Sequence, residues 1–237
     1  MIISGKNSVF EALNSGKTVN RVMIQDSQKN EFSKKIVELC KQNKIRFDFV
    51  DKIRLDKIAN HHQGFVAEIT DYMYCDVEDI LNSSGERGHF ILVLDGVQDP
   101  HNFGSIIRVC ECAKVDGIII GDRQSCAINE TVYKTSCGAI SYVKIARVKN
   151  INDEIRKLKK KNIWVYGAEA GGESVYQTDL KGDICIVMGS EGFGVSQLTK
   201  KLCDQIISLP MFGKVNSLNV STATSAIVYE AIRQREK

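Results

Sequence analysis

Residues 184–194 read ICIVMGSEGFG, and residues 206–221 read IISLPMFGKVNSLNVS. Each stretch begins with an apolar run as long as a buried strand and continues into a polar loop that precedes a helical pattern. In open parallel α/β sheets, the loops that follow the carboxyl ends of strands form the ligand site. Glycines in the first loop permit close backbone approach, although an ordinary strand-to-helix turn would also use them. The two stretches therefore predict an α/β domain with a ligand site near its C-terminus.

The chain upstream of these stretches continues the alternation of strands and helices. Residues 90–94, FILVL, form an uninterrupted apolar run, which is typical of a central strand in a parallel sheet. Residues 99–108, DPHNFGSIIR, begin a helix at Pro100 and Asn102. Further strand patterns lie at residues 117–121, 142–146 and 163–167. This alternation predicts one largely parallel α/β domain over residues 89–237.

The first 72 residues predict a smaller α/β unit. Helical patterns cover residues 6–13, 31–43 and 55–59, and strand patterns cover residues 21–24, 45–50 and 64–69. Residues 73–88 are polar and net acidic, so they are predicted to be a linker between the two domains. Gly16-Lys17-Thr18 lacks the upstream glycine of a phosphate-binding loop, and we interpret it as a turn.

Composition describes an ordinary folded protein of 237 residues, 43% hydrophobic, with a formal net charge of +3. Such a charge permits nucleic-acid binding without indicating it. The first residues lack the pattern of a signal peptide, and no apolar run approaches the roughly 20 residues of a membrane span. We therefore expect a cytoplasmic protein that does not enter a membrane. The cysteines form no Cys-x-x-Cys pair and the histidines are scattered, which predicts reduced thiols and no metal site.

Three motifs, in this order, resemble those of the SpoU (TrmH) branch of the SPOUT RNA 2'-O-ribose methyltransferases. They are residues 99–108 with Asn102 and Arg108, residues 188–194 with Glu191, and residues 209–221 with SLN at 217–219. The stretches at residues 4–13 and 62–67 are similar to the L30e-like substrate-binding domain of that family. The likeness therefore covers nearly the whole chain.

This resemblance implies an α/β catalytic domain with a deep C-terminal trefoil knot, S-adenosyl-L-methionine as the methyl donor, and a homodimer. The implied boundaries are residues 1–72 for an L30e-like RNA substrate-binding domain, 73–88 for the linker and 89–237 for the catalytic domain. The implied reaction is methylation of a ribose 2'-hydroxyl, with a guanosine of 23S rRNA as the favoured substrate. A tRNA guanosine, an antibiotic-resistance site in rRNA and a non-catalytic ribosome-assembly role remain alternatives.

The resemblance also assigns site residues by position. The implied catalytic residues are Asn102, Arg108, Glu191, Ser217 and Asn219, and the implied cofactor-binding residues are Gly189, Gly194, Leu209, Met211, Leu218 and Asn219. The reaction requires removal of the proton from a weakly nucleophilic hydroxyl. A guanidinium, with a pKa above about 12, is better suited to clamping the RNA backbone and stabilising alkoxide charge than to accepting that proton. The proton acceptor is left open between Arg108 and Glu191.

Overall fold

The computed structural model describes residues 1–15, 19–28, 30–83, 85 and 87–236. Contacts divide the chain into two compact units. The first contains Met1–Met73 and Ile128–Tyr142, and the second contains Tyr74–Ala127 and Val143–Lys237. The turn predicted at Gly16-Lys17-Thr18 lies outside the described residues.

The first unit contains a four-stranded mixed sheet with helices between its strands. Its elements are β1 (Ile2–Ser4), α1 (Lys6–Asn14), β2 (Val19–Gln25), α2 (Glu31–Gln42), β3 (Arg46–Val50), α3 (Lys52–Asp56) and β4 (Phe65–Ile69). The strand order is β1-β4-β2-β3, and only β2 and β3 are parallel neighbours. The helix predicted at residues 55–59 begins earlier, because Asp51 caps it by accepting a hydrogen bond from Arg54 N at 2.6 Å.

The second unit contains a six-stranded sheet in which all paired neighbours are parallel. Its strands are β5 (Phe90–Asp95), β6 (Gly117–Gly121), β7 (Ile145–Val148), β8 (Trp164–Ser174), β9 (Ile184–Gly189) and β10 (Gln205–Ser208). The strand order is β10-β8-β9-β5-β6-β7, so the apolar runs of β5 and β9 are buried at the centre. The predicted parallel α/β fold is confirmed.

Helices connect these strands, and polar caps fix where several of them begin. They are α4 (Val77–Leu81), α5 (Pro100–Cys112), α7 (Ile151–Lys160), α8 (Gln197–Leu202) and α9 (Val220–Arg235). Asp99 accepts from Asn102 N at 2.9 Å at the start of α5, and Asn219 accepts from Ser221 N at 2.9 Å at the start of α9. Each cap satisfies backbone donors that have no partner inside the helix. Within the described ranges, no helix is long and apolar enough to cross a membrane.

The sequence predicts a linker at residues 73–88, but the described part of this stretch is folded. Cys75 forms a parallel bridge with Ala146, and α4 follows directly. Ile80 on α4 is fully buried in the core of the second unit and packs where Gly117 has no side chain. The bridge and the buried isoleucine show that the described residues from Tyr74 onward belong to the folded second unit. Sequence reasoning missed this because the acidic composition masks the helical spacing of the apolar side chains.

A second difference concerns the continuity of the predicted domain at residues 89–237. The segment Ile128–Tyr142, which includes α6 (Glu130–Thr135), groups with the first unit. There Ser4 Oγ donates to Glu130 Oε1 at 2.9 Å, and the Tyr142 hydroxyl donates to Glu11 Oε2 at 2.5 Å. These partners are distant in sequence, so a local pattern cannot reveal them.

Candidate active site

A cavity of about 530 Å³ lies in the second unit where β8, β9 and β10 end. Its wall combines the loops after β9 and β10 with the middle of β8 and the first turns of α9. Small-molecule sites typically enclose roughly 300–1,000 Å³, so the cavity has the size of a cofactor site. The lining residues are Ala168 to Ala170, Met188 to Gly194, Ile207 to Leu209, Met211, Asn216 to Val220, Ala223 and Ile227.

The loop after β9 is a tight backbone turn, which we call the glycine loop (residues 189–194). Ser190 N donates to Gly194 O, and Gly194 N donates to Ser190 O, both at 3.0 Å. Gly192 and Gly194 have φ angles of 86° and 66°, in the region that glycine tolerates best. A side chain at Gly189 would collide with the backbone of Gly194 and Val195. The turn therefore requires glycine and presents main chain to the cavity.

Three polar side chains, Asn102, Glu191 and Asn219, form a hydrogen-bonded cluster beside the glycine loop. Asn102 Nδ2 donates to Glu191 Oε1, and Asn219 Nδ2 donates to Asn102 Oδ1 at 2.9 Å. Asn219 Nδ2 also lies 3.4 Å from Glu191 Oε1. The cluster joins the start of α5, the glycine loop and the start of α9, which are far apart in sequence. Its partners orient a carboxylate at the cavity wall.

The structure brings most of the predicted site residues to this cavity. Five residues were predicted to bind the cofactor and were given no catalytic role, and all five line the cavity: Gly189, Gly194, Leu209, Met211 and Leu218. Asn219, which carries both assignments, lines it too, as do Glu191 and Ser217. Asn102 is buried behind the wall and reaches the cavity through its hydrogen bonds.

Besides Asn102, which lies behind the wall, Arg108 is the predicted site residue that the cavity wall of this chain does not include. It lies on α5 and is exposed. It lies six positions after Asn102 on the helix, which corresponds to about 9 Å along the axis and about 240° around it. The two side chains therefore leave α5 in different directions.

Sequence reasoning missed the contribution of β8 to the cavity. Ala168, Glu169 and Ala170 line it, because β8 lies next to β9 with Ala168 in register with Met188. The run of small residues at 167–172, GAEAGG, directly after an apolar strand pattern, was the available signal. Whether this run reaches the cavity depends on the order of the strands in the sheet, which no local pattern specifies.

The thiols of Cys110 and Cys185 in the second unit lie in the core rather than in the cavity wall. Cys185 on β9 is fully buried, and burial raises the pKa of its thiol, which therefore stays protonated at neutral pH. Among the residues that the structure describes, no group of three histidine, cysteine, aspartate or glutamate side chains is placed to hold a metal ion.

The parallel sheet, the cavity at the carboxyl ends of its strands and the glycine loop define a small-molecule-binding α/β domain. The SpoU rRNA Methylase family matches residues 89–229 of this domain. A second family, described as RNA 2'-O ribose methyltransferase substrate binding, matches residues 2–75. The chain therefore belongs to the SpoU family of RNA methyltransferases.

Individual relatives agree with this membership. A Staphylococcus haemolyticus protein, whose name assigns it to the TrmH family of tRNA/rRNA methyltransferases, is 41% identical over 242 residues, covering 100% of this chain and 97% of its own. The SpoU methyltransferase AviRb from Streptomyces viridochromogenes, solved in complex with AdoMet, shares the fold with a TM-score of 0.85 and 22% identity, covering 100% of this chain and 90% of its own. The A. aeolicus TrmH/SpoU tRNA modifying enzyme has a TM-score of 0.57 and 28% identity over 68% of this chain and 81% of its own.

Proposed function

We propose that this protein transfers a methyl group from S-adenosyl-L-methionine to a ribose 2'-hydroxyl of RNA, with a guanosine of 23S rRNA as substrate. The observation that carries the proposal is the convergence of the glycine loop and the Asn102, Glu191 and Asn219 cluster at one cavity. S-adenosyl-L-methionine is the cofactor of the family to which the chain belongs, and AviRb was solved with it.

The residues of the cavity fit this cofactor. Leu209, Leu218 and Ile227 supply an apolar wall suited to a purine ring, and the glycine loop supplies backbone groups for polar atoms. The absence of a side chain at Gly189 keeps this backbone within reach. We assign cofactor binding to Gly189, Gly194, Leu209, Met211, Leu218 and Asn219. When bound, S-adenosyl-L-methionine supplies an electrophilic methyl group on a positively charged sulfur.

The polar cluster then prepares the attacking hydroxyl. Glu191 is an acceptor held in place by two amide groups, so it can accept a hydrogen bond from the 2'-hydroxyl and receive its proton. Asn102 and Asn219 fix the direction of that carboxylate. Ser217, which lines the same cavity, adds a hydroxyl for positioning the ribose.

Arg108 has a different role in this proposal. Its exposed position on α5 suits contact with an RNA phosphate and with the negative charge that develops on the ribose oxygen. A guanidinium stays protonated at neutral pH, which argues for charge stabilisation rather than proton removal. Glu191 is therefore our choice of proton acceptor.

The finer architecture is also proposed from family likeness. We assign the unit that begins with residues 1–72 to an L30e-like RNA substrate-binding domain, and we place the catalytic domain within residues 89–237, apart from the segment 128–142 that groups with the first unit, as in RlmB-type enzymes. The match of residues 2–75 to a substrate-binding family supports the first assignment. A deep trefoil knot at the C-terminal end, a homodimer and a cytoplasmic location complete the proposal.

Binding and transfer assays on Arg108→Ala test the mechanism. We expect S-adenosyl-L-methionine to bind with nearly unchanged affinity in calorimetry, while methyl transfer falls at least about 100-fold, as for the loss of other charge-stabilising groups. Arg156→Ala is the matched control, because Arg156 is another exposed arginine on a helix of the second unit, where it pairs with Asp153 on α7. Transfer within a few-fold of the unaltered protein would remove Arg108 from the mechanism.

Substrate choice is tested by mapping 2'-O-methyl groups in RNA from cells with and without the gene. We expect one 23S rRNA guanosine to lose its methyl group while tRNA is unchanged. The family description names rRNA, and the substrate-binding match supports an RNA target. If only tRNA loses a methyl group, the substrate is a tRNA guanosine and not 23S rRNA. No binding of the cofactor in calorimetry would favour the ribosome-assembly alternative instead.

A further inference from the structure

The glycine loop leaves β9 between two strands, and each of these strands carries a carboxylate beside the loop. β9 pairs with β8 on one side and with β5 on the other. Glu169 lies on β8, and Asp95 ends β5. The exit of the loop, at Val195 and Ser196, runs directly between these two side chains.

On the β8 side, Glu169 holds the loop through one backbone amide. Val195 N donates to Glu169 Oε2 at 2.9 Å. The other oxygen, Oε1, pairs with Lys200 Nζ of α8 at 2.8 Å, and both side chains are about three-quarters buried. Any side chain at Gly194 would collide with this carboxylate, so the glycine makes the contact possible. Glu169 also lines the cavity.

On the β5 side, Asp95 holds the next amide along the chain. Ser196 N donates to Asp95 Oδ2 at 2.9 Å. Ser196 is also the N-cap of α8, with its Oγ accepting from Thr199 N at 3.4 Å. Two consecutive amides are therefore held by carboxylates from the strands on either side of β9, and bonds of this charge-assisted kind are stronger than neutral ones.

We propose that Glu169 and Asp95 are positioning residues that together clamp the glycine loop in the shape that binds the cofactor. The proposal rests on the proposed function for the identity of that cofactor. The other constraints on the loop are the Ser190–Gly194 backbone bonds and the contacts of Glu191 with Asn102 and Asn219, and they do not hold Val195 or Ser196. Loss of either carboxylate frees one amide, widens the turn and raises the entropic cost of binding.

The test compares Glu169→Ala and Asp95→Ala with Glu173→Ala. Glu173 lies on the same strand as Glu169, accepts from Gln205 Nε2 at 2.6 Å and does not line the cavity. We expect each of the first two variants to weaken S-adenosyl-L-methionine binding about tenfold in calorimetry, the equivalent of one charged hydrogen bond. The control should bind as the unaltered protein does. Glu169→Gln keeps an acceptor for Val195 N, so its loss should stay below about fivefold.

Amide hydrogen exchange without cofactor supplies a second readout. We expect Val195 and Ser196 to be protected in the unaltered protein and to exchange faster in the alanine variants, while β9 keeps its protection. Unprotected amides in the unaltered protein would overturn the proposal even if the variants fail to fold. So would alanine variants that match the control in both affinity and exchange. An unaltered protein that fails to bind the cofactor contradicts the proposed function instead, and exchange still tests the clamp.

Discussion

Asn219 serves two purposes at once. Its Oδ1 accepts from Ser221 N and from Thr222 N, at 2.9 and 3.3 Å, and so caps α9. Its Nδ2 donates to Asn102 Oδ1 and approaches Glu191. An asparagine has both an acceptor and a donor at the end of a short side chain, so it can start the helix and orient the cluster together.

Two substitutions separate these purposes. Asn219→Asp keeps the capping acceptor but loses the donor and adds a negative charge beside Glu191, whereas Asn219→Ala loses both functions. We expect Asn219→Ala to lower the free energy of unfolding by about 1 kcal/mol and Asn219→Asp to lower it less, while both reduce methyl transfer at least about tenfold. Urea unfolding and a transfer assay measure the two effects.

Asn150→Asp is the control, since Asn150 caps α7 by accepting from Asn152 N at 3.0 Å and does not line the cavity. It should leave both stability and transfer nearly unchanged. Full transfer activity in Asn219→Asp would show that the donor to Asn102 is dispensable for the reaction.

The sequence predicted part of the cavity wall in two ways. The apolar runs located the loops at the ends of strands, and the motif resemblance assigned Gly189, Leu209 and Leu218, which line the cavity, so these three could be named in advance. Glu169 could not, because its position depends on β8 lying next to β9. Local sequence predicts where a strand ends, whereas the choice of neighbouring strand arises from packing of the whole sheet.

At the scale of elements, α4 shows how composition can mislead. This helix lies inside the acidic stretch that resembles a linker, yet Ile80 fills the space beside Gly117 and belongs to the core of the second unit. The lack of a side chain at Gly117 and the bulk of Ile80 are complementary, and they lie far apart in sequence. Polar neighbours lowered the average hydrophobicity of the segment, while the two buried side chains, Ile80 and Leu81, determined its packing.

Ile80→Ala tests whether this segment stabilises the second unit. Removing most of a fully buried isoleucine leaves a cavity, so we expect a loss of about 2–5 kcal/mol in the free energy of unfolding. Urea unfolding followed by fluorescence reports on the second unit, since Trp164, the only tryptophan, lies on β8. Glu78→Ala should cost less than about 1 kcal/mol, because the Glu78 pair with Lys161 is an exposed one. Equal effects of the two variants would mean that the segment is a linker after all.

At the scale of the whole molecule, several thiols lie in the two hydrophobic cores. Burial raises the pKa of Cys40 in the first unit and of Cys203 in the second to about 11. It also raises the pKa of Cys110 and Cys185, which are fully buried. Desolvation disfavours the thiolate in each case, so the folded chain holds these protons more tightly than the unfolded chain does.

This difference makes the protein less stable in alkali. Unfolded thiols ionise near pH 8.5 to 9, roughly, while the buried ones remain protonated, so the unfolded state binds fewer protons as pH rises. The contribution of the protonated thiols to the stability of the folded state is complete below the pKa that they have in the unfolded chain. It is lost progressively as the pH rises toward their pKa in the folded chain. We expect the urea midpoint of the Trp164 transition to fall between about pH 8 and about pH 10. Cys185→Ala should reduce that slope, whereas Cys112→Ala should leave it intact because Cys112 is exposed. A midpoint that stays level or rises over this range would contradict the burial of these thiols as the source of alkaline sensitivity.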